Sequence, residues 1–203
     1  DYDRLIPDSI VTAQSTNYEL YPDYNGITLT ITEGGYNISR QTGEFMLDNP
    51  QVVHDLEHPD DPQTAFGYVA EGLRRRVASG SGPITILSCD NLQHNGNTAR
   101  CAFMSFVEAQ DKELAAWMEE NVTFPNSMVD RITPATHPED IKRLNEENGT
   151  EDKAPVYCED FIQWVVEDNF AAGRPAWEKV GAQMTDDVTA FENMKLSLLN
   201  ASH

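Results

Sequence analysis

The sequence predicts an α/β fold in which a mostly parallel sheet is joined by crossover helices. Two strand-like runs carry this prediction, ITLTIT at 27–32 and PITILS at 83–88, together with helical periodicity in the segments that separate and follow them. Strands that alternate with helices are typical of parallel sheets, because parallel neighbours need a long crossover connection. The last segment, 189–203, predicts a helix that begins a separate helical region.

The first half of the chain is expected to supply two strands and one helix. The β-branched run at 27–32 should end at the glycines of EGGYN, which favour a turn. After Asp61-Pro62, apolar residues at helical spacing predict a helix whose last turn holds the arginines at 74–76. PITILS then predicts a strand buried on both faces, because its apolar run is continuous.

The next segments are predicted to be helices with one short strand. Helices are expected at 98–110 and at 111–121, and Asp111 is a suitable N-cap for the second. A short strand should follow at 122–124. Thr136 and Glu139 form a capping box for a further helix that should end near Gly149.

The remaining residues return to strands before the last helix. The runs APVYCE and FIQWVVED, within 154–167, are strand-like in composition. The stretch AAGRPAWEKVGAQ predicts a loop, because glycine and proline interrupt it. Thr189 and Glu192 form a second capping box, which should start the terminal helix.

Charge and cysteine content restrict the class of protein. The chain of 203 residues carries a formal charge of −20, which disfavours binding to nucleic acids and to anionic membrane surfaces. Three cysteines, Cys89, Cys101 and Cys158, form neither a disulfide framework nor a zinc-binding pattern. There is no apolar run long enough to span a membrane and no signal-peptide pattern at the start. Reduced thiols favour a cytoplasmic protein.

Two further motifs are rejected as binding sites. GSGP at 80–83 resembles a phosphate-binding loop, but a proline and a strand follow it in place of a helix. His54 and His58 have the spacing of a zinc motif, but they lack its glutamate, and Pro59 ends any helix there. We therefore expect no metal site.

Three polar residues interrupt the apolar terminal helix. On an ideal helix Lys195, Asn200 and His203 project at about 0°, 140° and 80°, which places them within half a turn. An amine, an amide and an imidazole on one face suit a carbonyl or secondary alcohol. The spacing by itself favours a different arrangement, in which the lysine is exposed, the asparagine is a cap and the histidine lies in the core.

Polar residues also follow the two best strands. SCDN at 88–91 closes the second strand, so Asp90 and Asn91 stand where α/β proteins place ligands. TEGG at 32–35 closes the first, where glycines permit close backbone approach. In both places an ordinary turn explains the residue types equally well.

Four blocks in order resemble the polyol-specific long-chain dehydrogenases, and in particular their mannitol 2-dehydrogenase group. They are TITEGGYN (30–37), LSCDNLQHNG (87–96), FPNSMVDRITP (124–134) and MKLSLLNASH (194–203). The third is similar to the signature of that family around Val-Asp-Arg, and the fourth to its K-x4-N-x2-H catalytic helix. Residues 1–26 show no visible match.

The resemblance implies a metal-independent hydride transfer between NAD, in preference to NADP, and C2 of a sugar alcohol, with D-mannitol and D-fructose as the leading pair. Lys195 would be the general base. Asn91 and Asn200 would form the oxyanion hole, and His203 would hydrogen-bond the reacting oxygen or a neighbouring one.

Further residues carry implied roles around that centre. Asp130 would contact substrate hydroxyls or the surrounding polar network, and Glu192 would line a proton path from solvent. Thr32 and Glu33, with Asn91, would lie at the cofactor. A small polyol or ketose is the expected partner, and the protein is expected to be a monomer or a weak oligomer.

The resemblance also implies a domain division. Residues 1–187 would be part of a Rossmann-like nucleotide-binding domain without its first glycine-rich unit, and residues 188–203 would begin an all-helical substrate domain. The parent protein would be the enzyme and the isolated chain inactive. The alternative is a truncated, non-catalytic module that binds a sugar or a protein.

Overall fold

A computed structural model describes residues 25–195 of the chain. Within them, a first sheet has the order β1-β2-β3, and both of its strand pairs are parallel. Its strands are β1 (Gly26–Leu29), β2 (Ile84–Ser88) and β3 (Val122–Thr123). All five residues of β2 are buried, as predicted for a central strand covered on both faces.

Helices connect these strands, which confirms the predicted α/β arrangement. Between β1 and β2 lie α1 (Thr32–Gly35), α2 (Pro50–Glu57) and α3 (Ala65–Ser79). Between β2 and β3 lie α4 (Asn95–Gln110) and α5 (Lys112–Asn121).

A second sheet has the order β4-β5-β6 and is mixed. Strand β4 (Ser127–Asp130) pairs antiparallel with β5 (Gln163–Glu167), which pairs parallel with β6 (Gln183–Thr185). Helix α6 (Pro138–Asn148) lies between β4 and β5, and a 3₁₀ helix at Trp177–Val180 precedes β6. Helix α7 (Thr189–Met194) leads to Lys195. The prediction of mostly parallel pairing therefore holds, but the described strands form two sheets.

Local signals located several helix ends correctly. Asp111 is the N-cap of α5, and its carboxylate accepts hydrogen bonds from the backbone N–H groups of Glu113 and Leu114. Gly149 adopts the left-handed conformation at the end of α6, with φ of 64°. These contacts are local in sequence, so the sequence pattern alone could predict them.

Both predicted capping boxes are wrong. The hydroxyl of Thr136 donates to the backbone oxygen of Pro155, and α6 begins without a side-chain cap. Glu192 accepts a hydrogen bond from the backbone N–H of His94, 98 residues away, and α7 also lacks a side-chain cap. In both cases a partner distant in sequence replaces the local one.

Three strand and loop predictions also need correction. The first strand ends at Leu29, and TEGG forms the short helix α1 because Asp90 holds its first backbone N–H groups. APVYCE is not a strand, since within 154–167 the strand includes only Gln163–Glu167. The expected loop at 171–183 contains a 3₁₀ helix and the first residue of β6.

The start of α4 packs directly against the segment that leads into β4. A Cβ added at Gly96 would lie 2.5 Å from the backbone oxygen of Pro125 and 2.6 Å from that of Phe124. Only glycine permits this approach. The contact brings the end of β2, the start of α4 and β4 to one place, where the candidate site lies.

Candidate active site

Lys195 is the centre of the candidate site. Its side chain is 8% exposed, and its Nζ donates to Oδ1 of Asn91 at 2.6 Å and to the backbone oxygen of Val129. Oδ1 of Asp130 lies 3.7 Å from Nζ. A buried amine thus has two oxygen acceptors and a nearby carboxylate, which offset the loss of its hydration.

The two sheets each supply part of this cage. Asn91 follows β2 of the first sheet, whereas Val129 and Asp130 belong to β4 of the second. Lys195 itself follows directly after helix α7. The lysine therefore lies at the junction of the two sheets, and its contacts depend on their relative position.

The amide oxygen of Asn91 has a hydrogen-bond partner, whereas its amide nitrogen has none among the described residues. Its Oδ1 accepts from Lys195, and no hydrogen bond within residues 25–195 uses its Nδ2. An amide whose oxygen is held in this way presents N–H donors to a neighbouring oxygen. The geometry suits donation to an alcohol or alkoxide next to the lysine.

Within residues 25–195, Lys195 borders a smaller and a larger cavity. The smaller one of about 140 Å³ is lined by Asn91, Ser127, Met128, Glu192 and Lys195, among others. The larger one of about 660 Å³ is lined by Asn91 and Lys195 together with residues of β4 and β5. Asp130 and Trp164 line this larger cavity, whose size suits a six-carbon sugar alcohol.

Asp90 lines the smaller cavity beside Lys195, but its carboxylate is engaged by the ends of the first sheet. Its carboxylate accepts from the backbone N–H groups of Ile31 and Thr32 and from the hydroxyl of Tyr36. Burial, and then the hydrogen bond to Asp90, raises the pKa of the Tyr36 hydroxyl. Asp90 therefore connects the ends of β1 and β2, and its place at a substrate stays a prediction.

Thr32 and Glu33 lie beside this connection, at the carboxyl end of the first sheet. Thr32 has a positive φ of 65°, and the carboxylate of Asp90 accepts its backbone N–H at 2.7 Å. Glu33 is exposed and lies 3.5 Å from Arg40. Neither residue has a contact with Lys195 among the described hydrogen bonds and ion pairs. Their implied role at a cofactor stays a prediction.

Asn95 clamps the two halves of the site together. Its Nδ2 donates to the backbone oxygens of Ser88 and Asp90, and its Oδ1 accepts from the backbone N–H of Ser127 at 2.8 Å. The side chain is fully buried. One amide thus connects the end of β2 to the start of β4, on either side of Lys195.

Glu192 lines the smaller cavity together with Lys195, and its carboxylate also contacts His94. Its Oε1 accepts from the backbone N–H of His94 at 2.8 Å, and its Oε2 lies 3.5 Å from Nδ1 of the same residue. The Glu192 side chain is 4% exposed, and its Oε2 is buried without a hydrogen bond among the described residues. His94 is half exposed.

Two residues of the predicted catalytic set, Asn200 and His203, lie outside the described residues. The structure brings together the others near the lysine, namely Asn91, Asp130 and Glu192. Sequence reasoning missed the backbone oxygen of Val129 and the side chains of Asn95 and His94. The last two stand within LSCDNLQHNG, so the block itself was the available signal.

Comparison with known proteins identifies the family. The profile described as the mannitol dehydrogenase Rossmann domain matches residues 7–179. The chain belongs to the mannitol dehydrogenase family. This confirms the resemblance and the Rossmann-like fold, and it corrects the view that residues 1–26 show no match, because the family match begins at residue 7.

Relatives of this family extend the comparison. The polyol:NADP oxidoreductase of Gluconobacter oxydans (strain 621H) is 55% identical over 177 residues, which cover 87% of this chain and 36% of that protein. The chain thus spans about a third of this relative.

Solved structures of the family agree in fold. A D-sorbitol dehydrogenase in substrate-free form has a TM-score of 0.88 and 52% identity, covering 94% of this chain and 39% of that one. The Pseudomonas fluorescens mannitol 2-dehydrogenase, in a ternary complex with NAD and D-mannitol, has a TM-score of 0.85 and 50% identity, covering 95% and 39%.

Residues 25–195 lack two other kinds of feature, a membrane-spanning helix and a cluster of metal ligands. None of the helices in this range is both long enough and apolar enough to cross a membrane. The same residues contain no group of three or more histidine, cysteine, aspartate or glutamate side chains arranged to hold a metal ion.

Proposed function

We propose that the protein containing this chain is an NAD-dependent oxidoreductase that interconverts a sugar alcohol and a ketose, with D-mannitol and D-fructose as the leading pair. The observation that carries the proposal is the buried amine of Lys195, held between Asn91 and β4 beside a cavity of about 660 Å³. Membership of the mannitol dehydrogenase family supports the reaction class.

Lys195 acts as the general base in alcohol oxidation. Asn91 and the backbone oxygen of Val129 accept two of its N–H bonds, so the third position is left to exchange a proton with the substrate hydroxyl. When the proton arrives, the carboxylate of Asp130, 3.7 Å away, stabilises the ammonium that forms. General bases of this kind contribute about 10²–10⁴-fold to the rate.

Asn91 and Asn200 stabilise the reacting oxygen, and His203 hydrogen-bonds to it. The amide nitrogen of Asn91 supports this role, because it has no hydrogen bond among residues 25–195 while the amide oxygen accepts from Lys195. An amide donor aimed at a developing alkoxide is worth about 3 kcal/mol in other enzymes. Asp130 also lines the larger cavity, where it can contact substrate hydroxyls.

The cofactor is NAD, which accepts the hydride when bound. Thr32, Glu33 and Asn91 would hold it at the carboxyl ends of β1 and β2, where open α/β sheets bind nucleotides. The exposed side chains of Thr32 and Glu33 fit this placement. NADP is the competing choice, because the relative from Gluconobacter oxydans is named for it.

The domain division completes the proposal. Residues 1–187 belong to the nucleotide-binding domain, and residue 188 begins the helical substrate domain. Because the chain spans 36% of a relative, turnover requires the full-length protein, and the isolated chain is inactive. The cytoplasmic location and the monomeric or weakly oligomeric state stay predictions.

The absorbance of NADH at 340 nm tests the function directly. The full-length protein should oxidise NADH with D-fructose and reduce NAD with D-mannitol, and NADPH and D-fructuronate serve as competing cofactor and substrate. Lys195→Ala should lower kcat by about 10²–10⁴-fold. Turnover of no sugar or sugar acid by the full-length protein would contradict the proposal.

A further inference from the structure

We propose that His94 is the outer relay residue through which the proton of Lys195 exchanges with solvent. The inference rests on the proposed function, since it assumes that Lys195 takes a proton from the substrate. It extends the proton path that the family resemblance implies for Glu192 to a residue that the resemblance did not assign.

The path needs an inner chamber, and the smaller cavity supplies it. Lys195 and Glu192 both line this cavity of about 140 Å³. That volume is enough for about four waters at liquid density, and its polar lining offers them partners. A proton can therefore pass from the lysine to the buried carboxylate through ordered water.

Glu192 is placed to pass the proton outward. Its Oε1 is engaged by the backbone N–H of His94, but its Oε2 is buried without a hydrogen bond among the described residues. That free oxygen lies 3.5 Å from Nδ1 of His94. Contacts that carry protons are often this long before substrate binds.

His94 joins the buried carboxylate to bulk water. Its side chain is 49% exposed, whereas that of Glu192 is 4% exposed. Two acidic groups among the described residues face the imidazole, Glu192 from α7 and Asp187 from the turn before α7. Hydrogen bonds from Thr189, and to a smaller extent the proximity of His94, lower the pKa of Asp187. An imidazole with its free nitrogen in water is well suited to proton exchange near neutral pH.

The proton balance of the step is complete. In alcohol oxidation the substrate hydroxyl gives its proton to Lys195, which passes one proton through water to the carboxylate of Glu192. The resulting carboxylic acid protonates Nδ1 of His94, and the imidazolium loses a proton from Nε2 to solvent. Proton exchange with water then returns the imidazole to its starting tautomer. Ketose reduction runs the same transfers in reverse.

Two substitutions separate the role of the His94 imidazole from that of the His94 backbone. The hydrogen bond from His94 to Oε1 of Glu192 uses the backbone N–H, so it survives a change of side chain. His94 also has a positive φ of 49°, which asparagine and glycine tolerate. His94→Asn and His94→Gly thus remove the imidazole and keep the backbone contact.

Steady-state kinetics of mannitol oxidation by the full-length protein test the relay. Both His94 variants should lower kcat about tenfold near pH 7, with KM for mannitol and NAD within about twofold of the parent values. The solvent deuterium isotope effect on kcat should rise, because proton exchange becomes slower than hydride transfer. Added imidazole should restore most of the kcat of His94→Gly.

The controls separate the possible failures. His58→Ala removes another exposed histidine, on the far end of α2, and should leave kcat and the isotope effect unchanged. If the parent protein turns over mannitol but His94→Asn matches its kcat, the relay is wrong and the proposed function stands. A loss of kcat in His94→Gly that imidazole does not relieve also overturns the relay. If the parent protein turns over no polyol, the proposed function fails instead.

Discussion

The two sheets of the molecule are built in different ways. The first is covered by a large apolar core of buried residues from β1, β2 and the helices α2 to α5. The second has a small buried cluster of Met128, Val165 and Val188, with Phe191 packed against it. Around the second sheet Val156, Ile162 and Val180 are 72%, 66% and 85% exposed.

This difference indicates how the site is held. Burial of apolar area is the main source of stability, so the first sheet is the rigid partner and the second depends more on polar contacts. The lysine lies between the two, with Asn91 on the rigid side and Val129 on the thinly packed side. Activity should therefore be sensitive to the few polar residues that connect the sheets.

Truncation of one apolar residue in each core should have the largest effect on stability, and the two losses should differ. Phe103 is fully buried in α4, and its ring centroid lies 5.1 Å from that of Phe66. Phe103→Ala should lower the free energy of unfolding by about 3–5 kcal/mol, and Met128→Ala by about 2 kcal/mol, because the smaller cluster can collapse. Urea unfolding of the full-length protein measures both. Equal losses would show that the two cores are not different in strength.

Loss of the clamp between the sheets should have the next largest effect. Asn95→Ala leaves the buried backbone N–H of Ser127 without its acceptor, whereas the Ser88 oxygen keeps its hydrogen bond from the Ser127 hydroxyl, so the loss should be about 1–3 kcal/mol. It should also lower kcat more than it raises KM, because the acceptors of Lys195 move apart. The matched control is Asn97→Ala, whose side chain is exposed on the same helix. Equal kcat values for the two variants would show that Asn95 does not hold the acceptors of Lys195 in place.

The reactivity of Cys89 and Cys158 should differ, and it can be measured without any substitution. Burial, together with the charge of Asp90, raises the pKa of the Cys89 thiol to about 12. At pH 8 only about one molecule in ten thousand then carries the reactive thiolate, and labelling should increase as the pH rises toward 12. Cys158, near the second sheet, is exposed. Iodoacetamide at pH 8 should label Cys158 and spare Cys89, as peptide mapping would detect. Equal labelling would contradict the raised pKa of the Cys89 thiol.

Sequence reasoning succeeded where the deciding contacts are close in the chain. The apolar run of β2, the cap at Asp111 and the stop at Gly149 depend on neighbours within a few residues. It failed at Thr136 and Glu192, whose side chains bond to partners 19 and 98 residues away. A capping box is only a local preference, and tertiary contacts override it.

The candidate site shows the same limit. Resemblance to the family supplied Lys195, Asn91 and Asp130, and the structure brings these residues together. Spacing alone could not, because Asn91 and Lys195 are 104 residues apart and meet only through the junction of the two sheets. The role of Asn95 as a clamp was equally hidden, since its partners belong to different sheets.

Chemical rescue of the lysine tests the central claim most directly, namely that one buried amine at the junction exchanges the proton of the substrate. Mannitol oxidation by the full-length Lys195→Ala protein is measured with and without methylamine. The account predicts a kcat lower by about 10²–10⁴-fold, which methylamine partly restores. A variant whose kcat stays within about threefold of the parent value, with or without the amine, would contradict it.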